Sequence, residues 1–150
     1  MRAPDRYAVN SDAQASARLA LEHRVGQAAT AVAIADAYHQ IWTEIESELF
    51  GIIGYRGIGV LYQRSLFLAS REHAWLVPLR TGTLEPKDMV SFRVMLLQQT
   101  NATALASTSA LLAVFHDLVA QLIGPSLATQ LLGPVWDNAA AGRSAPDFSS

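Results

Sequence analysis

Four histidines, His23, His39, His73 and His116, are the side chains of this sequence best suited by type to bind a metal or carry a proton. Their spacing argues against both. A carboxylate-bridged metal site in a helical bundle needs Glu-x-x-His on each of two helices and a further Glu from each of two others. Only Asp36-x-x-His39 has the three-residue step. Glu22-His23, Glu72-His73 and His116-Asp117 are direct neighbours, and adjacent residues on a helix point in different directions. No zinc-ligand spacing occurs and the chain has no cysteine, so no metal ligands are assigned. A phosphoryl-accepting histidine would want a basic, glycine-containing stretch after it. His116 is followed by Asp117-Leu118-Val119-Ala120, acidic and then apolar. The histidines read as ordinary surface or boundary residues.

Nucleophilic chemistry has no foothold either. No serine sits in a Gly-x-Ser-x-Gly elbow, and no acid–base set can be assembled from spacing, so no catalytic residue and no cofactor are assigned. Asn101-Ala102-Thr103 matches a glycosylation sequon but stands without a secretion signal. Two groupings remain that could hold a ligand. In the turn Gly54-Tyr55-Arg56-Gly57-Ile58-Gly59, backbone N–H groups at a helix start and the Arg56 fork could meet an anion. Phosphate loops usually follow a strand, and none is expected here. Tyr38, Trp42, Tyr55, Tyr62, Phe67, Trp75, Phe92, Phe115 and Trp136 could line an apolar cavity between helices. Aromatic residues at helical spacing more often fill the core.

The elements that would position these residues are helical. Sustained apolar–polar alternation and Asn-Gly or Asp-Gly hairpin turns are absent, and alanine is abundant throughout. A first helix is expected from Ser11, where Ser11 and Gln14 have capping-box spacing, with a pause near Gly26. In the next, Ala31, Ala35, Tyr38, Trp42, Ile45, Leu49 and Ile52 step by three and four along one face. Asp36, Gln40, Glu44 and Ser47 fall on the other, and Gly54 is placed to stop the helix. A third is expected over about Ile58 to Glu72, followed by a loop over Trp75 to Glu85. Pro86 should open the fourth, and Thr100 or Asn101 should cap the fifth, which carries Leu105, Thr108, Leu112, Phe115, Val119 and Leu122 on one face and ends at Gly124. Pro125 starts a short final helix that Gly133-Pro134 ends or bends. The expected fold is an all-α, single helical bundle of five or six helices over residues 11–137, with flexible termini at 1–10 and 138–150. Leu49–Gly54 and Val119–Gly124 echo one another, each leading through Ile-Gly to a further helix.

Composition narrows the partners. The chain is 51% hydrophobic and only 16% charged, with a net charge of −2. Acids and bases are interleaved in both halves, leaving no lysine- and arginine-rich cluster for nucleic acid. Polar residues interrupt the uncharged run from Val94 to Phe115, so no membrane segment is expected, and the polar start of the chain suits a cytoplasmic protein. From Val94 to Val135 only Asp117 carries a formal charge. In the fifth helix Thr103, Ser107, Ala110 and Val114 form a small, nearly uncharged row. Such a row suits close approach of a second subunit in a two-fold dimer, or a central helix wrapped by its own chain. The expected function is therefore a non-enzymatic interaction or regulatory module that self-associates, with a protein partner as a further possibility. The alternative is a sensor-like bundle taking a small apolar or anionic ligand at Tyr38, Trp42, Tyr55, Arg56 and Tyr62. A helical enzyme of unknown class stands third.

Overall fold

A computed structural model of the chain describes the backbone of residues 11–26 and 30–144 and the side chains of 15–26 and 30–137. The described residues form a helical bundle without strands: α1 (Ser11–Val25), α2 (Ala31–Ala69), a 3₁₀ helix (Ala74–Leu79), α3 (Pro86–Leu96), α4 (Asn101–Ile123) and α5 (Pro125–Ser144). Residues 1–10 lie outside the described residues. At the other end the helical backbone continues to Ser144, so α5 passes through Gly133-Pro134, and its end falls beyond residue 137.

The elements begin where their sequences carry caps. Thr30 Oγ1 accepts from the Ala33 N–H and Thr100 Oγ1 from the Thr103 N–H, each satisfying an amide that the first helical turn leaves unpaired. Pro86 opens α3, where a missing N–H costs nothing. The segment expected as a loop after Trp75 is partly a 3₁₀ helix, and its core anchor is the buried Leu76. Asn101 Oδ1 accepts from the Ala31 N–H at 2.9 Å, pinning the start of α2 to the start of α4.

Two glycines turn the chain without a loop. Gly54 stands at φ 72°, ψ 166° within α2, and Gly124 at φ 96°, ψ 147° between α4 and α5. The two Ile-Gly steps thus share a positive-φ bend, and also a burial pattern. Leu49 and Val119 are buried, Ile52 and Leu122 are exposed, and Ile53 and Ile123 pack against the core. Ile52 and Leu122 therefore leave the apolar faces to which their spacing assigned them, because each is the last residue but one before a bend. The bend at Gly54 has a measurable consequence. This part of backbone space is nearly closed to residues with a Cβ and costs about 1–3 kcal/mol. A Cβ at Gly54 would meet nothing within 4 Å, so the cost is conformational and not steric. Gly54→Ala is expected to lose that amount in urea denaturation. Gly51→Ala, at an open position with no positive φ, should gain up to about 1 kcal/mol from helix propensity. Equal effects at the two positions would contradict the bend.

α4 is the axis of the bundle. Every residue from 107 to 115 is buried, and α1, α2 and α5 pack around it. It is long and apolar enough to cross a bilayer by length and composition, and 67% of its apolar window is buried inside the bundle. Two of its hydroxyls are absorbed locally: Ser107 Oγ donates to the Thr103 carbonyl at 2.6 Å and Thr108 Oγ1 to the Ala104 carbonyl at 2.7 Å. Arg24, at 7% side-chain exposure, clasps three helices together. It reaches Glu44 with two hydrogen bonds of 3.0 and 2.7 Å, Gln40 at 3.0 Å and the Val135 carbonyl at 3.3 Å.

A candidate ligand cleft between α2 and α3

The aromatic residues meet where α2, α3, α4 and the 3₁₀ helix converge. Tyr38 stacks flat on Phe92, with centroids 4.5 Å apart. Trp42 stands edge-on to Tyr38, Tyr62 and Phe115 at 6.0, 4.9 and 4.7 Å. The hydroxyls of Tyr38 and Tyr62 lie 3.2 Å apart in the interior. Burial holds the Tyr38 phenol well above its ordinary value, reinforced by Tyr62, and pushes Tyr62 up to about 12. Both rings are therefore neutral packing groups at physiological pH.

This arrangement separates the residues that the sequence grouped as a ligand site. Trp42 and Tyr62 are sealed in the core, whereas Tyr55 and Arg56 lie exposed just past the Gly54 bend. Tyr55 packs there against Phe50, with centroids 4.3 Å apart. Of the five, Tyr38 borders a cavity among the described residues that could take a ligand. The expected interface row is also placed differently. Ser107, Ala110 and Val114 are 1%, 9% and 8% exposed within the single chain, and Thr103 is half-buried. The Trp75 indole N–H donates to Ser107 Oγ at 3.2 Å, so the 3₁₀ helix sits on this row. The small residues there let the chain's own elements approach, which is why they are small.

The cleft that does exist runs between α2 and α3 and encloses about 340 Å³. Tyr38, Phe92, Leu96, Met89 and Ala35 form an apolar floor, with Val90, Leu84 and Pro86 along the α3 side. At one end it shares His39 and Arg93 with a polar recess that also contains Asp36, Gln40, Thr43 and Glu44. Arg93 Nη1 donates to Asp36 Oδ1 at 2.8 Å across the mouth. Both partners are substantially exposed, so this ion pair adds little stability and can exchange partners.

What positions the cleft is a tied-down loop. Thr83 donates to Asp88 Oδ2 twice, from its backbone N–H at 3.0 Å and its hydroxyl at 2.7 Å. These bonds hold the Asp88 carboxyl below its usual range. Gln63 Nε2 donates to the carbonyls of Thr81 and Gly82 at 3.0 and 3.2 Å, binding the same loop to the second arm of α2. Leu84 and Pro86 are thereby fixed beside Tyr38.

Among the described residues no three His, Asp or Glu side chains converge as metal ligands would. His116 lies against Trp136, its ring centroid 6.1 Å away, and burial lowers its pKa against the opposing effect of Asp117. Sequence reasoning missed most of the cleft. The Arg93–Asp36 pair spans 57 positions and left no local trace. One signal was present: Asp36-x-x-His39, set aside as a metal motif, contributes two residues to the polar recess. Comparison of the chain with protein-family models, with curated proteins and with solved structures finds no match.

Proposed function

We propose that this chain is a binding protein for a small amphipathic molecule with an apolar body and an acidic head. The observation that carries the reading is the α2–α3 cleft: an apolar floor of useful size that ends on a single accessible guanidinium. Ligand pockets are mostly apolar, with few polar groups fixing orientation, and volumes start near ~300 Å³. Arg93 spends only Nη1 on Asp36. Its remaining N–H donors can meet a carboxylate, the geometry for which guanidinium is suited.

Decanoate, decanol and decylammonium form a probe series with one tail and three heads. Calorimetric titration is expected to rank decanoate first. Arg93→Ala should weaken decanoate about tenfold, the worth of a charge-assisted hydrogen bond, and leave decanol unchanged. Equal binding of all three heads would refute the acidic-head assignment, and no binding of any would refute the cleft as a ligand site.

A second reading, self-association, draws on another observation. Val90 and Val94 on α3 and Leu97 just past its end step by four and three, and all three are exposed. A two-fold dimer through this stripe would bury it. Sedimentation of the wild type against Val94→Lys distinguishes this from a monomeric ligand-binding protein.

A further inference from the structure

The second arm of α2 carries a charge asymmetry that whole-chain composition conceals. From Gly51 to Arg71 there is no Asp or Glu, although the chain as a whole is net negative. At the helical step of about 100° per residue, Arg56, Val60, Arg64 and Phe67 fall within about 80° of arc, and Arg71 lies in the turn just past the helix end. All five are exposed. Arg80, from the end of the 3₁₀ helix, joins them: Arg64 and Arg80 lie 5.6 and 5.5 Å from the centroid of the Phe67 ring. Three guanidinium groups, of Arg56, Arg64 and Arg80, therefore share one face. Apolar side chains alternate with them, Val60 at 61% and Phe67 at 40% exposure, and Phe50, Ile52 and Tyr55 protrude at the bend.

We infer that this face docks on the surface of an anionic phospholipid bilayer. The arginines would lie at the level of the phosphates, with Val60, Phe67 and the Phe50–Tyr55 pair at the boundary of the acyl region. The charge fits only an anionic partner. The pattern favours lipid over an acidic protein, because protein interfaces, although enriched in arginine, gather their apolar groups into a contiguous core. Here the two kinds alternate residue by residue. A bilayer surface accommodates alternation, since apolar groups sink while arginine stems extend back to the headgroups. This is peripheral docking, not spanning, and it departs from the expectation of no membrane partner drawn from overall composition.

The test is co-sedimentation of the full chain with vesicles of phosphatidylcholine alone, or of phosphatidylcholine and phosphatidylserine at about two to one. Binding is expected only with phosphatidylserine, and raised salt should weaken it. Each arginine near such a surface is worth about fivefold, so Arg56→Glu with Arg80→Glu should reduce partitioning about thirtyfold or more. Val60→Asp should reduce it about tenfold. Circular dichroism checks that the variants fold. If they do not, the lipid and salt dependence of the wild type still decides the matter. Equal binding to both vesicles, or insensitivity to salt and to the arginine reversals, overturns the inference. Retention by poly-glutamate without vesicle binding also overturns it, in favour of an acidic protein segment.

Discussion

Trp42→Ala is expected to lower the stability of the chain by about 3–5 kcal/mol, the usual cost of removing a large aromatic from a packed interior. Trp42 is 1% exposed and touches three further rings, Tyr38, Tyr62 and Phe115, drawn from both arms of α2 and from α4. Its loss opens a cavity at the junction of these elements, and the edge-to-face contacts go with it. Against a total stability of roughly 5–15 kcal/mol for a domain, such a loss approaches unfolding. Urea denaturation followed by far-UV circular dichroism should show a lower midpoint with an unchanged slope. The near-UV signal of the remaining aromatics should weaken as well, since Tyr38 and Tyr62 lose the ring that orders them. A loss under about 1 kcal/mol would mean that the indole does not occupy this junction.

Leu112→Ala is the second large effect, expected at about 2–5 kcal/mol. Leu112 is fully buried at the middle of α4, in the stretch where no side of the helix reaches solvent. The packed helices on all sides limit collapse into the space, so the cavity term should add to the lost transfer energy. Leu122→Ala serves as the control. It removes the same side chain from the same helix at an exposed position, and should fall within about 0.5 kcal/mol of wild type. The contrast reads the burial of α4 directly. Similar losses at both positions would show that Leu122 is covered, and equally small losses that Leu112 is not buried as described.

These two positions also mark what periodicity could reveal. Trp42 and Leu112 each lie at the centre of an apolar row, and central positions stay buried however the helix rotates by a few degrees. Ile52 and Leu122 lie at row ends, where a bend redirects the side chain. Spacing identifies a face, but it cannot tell how far along the helix a neighbour extends.

Helical class, the start of α3 at Pro86, a cap at Thr100 or Asn101 and the helix ends at Gly54 and Gly124 were legible in the sequence by itself, whereas α2 bends at Gly54 and runs on to Ala69 without the turn expected through Gly59. Each follows from local chemistry: a hydroxyl within reach of a free amide, a proline without an N–H, a residue without a Cβ where φ is positive. Contacts between distant segments were not. The small row Thr103, Ser107, Ala110 and Val114 reads identically whether a second subunit or the chain's own 3₁₀ helix covers it, because small size records close approach and not the identity of what approaches. The tyrosines and tryptophan were recognisable as an apolar set, yet only packing sent Tyr38, Trp42 and Tyr62 inward while the Gly54 bend left Tyr55 and Arg56 outside. The pairing of Arg93 with Asp36, the Arg24 clasp and the cleft beside Tyr38 needed tertiary structure for the same reason. Side chains dozens of positions apart become neighbours only when the bundle closes, and no local rule encodes that distance.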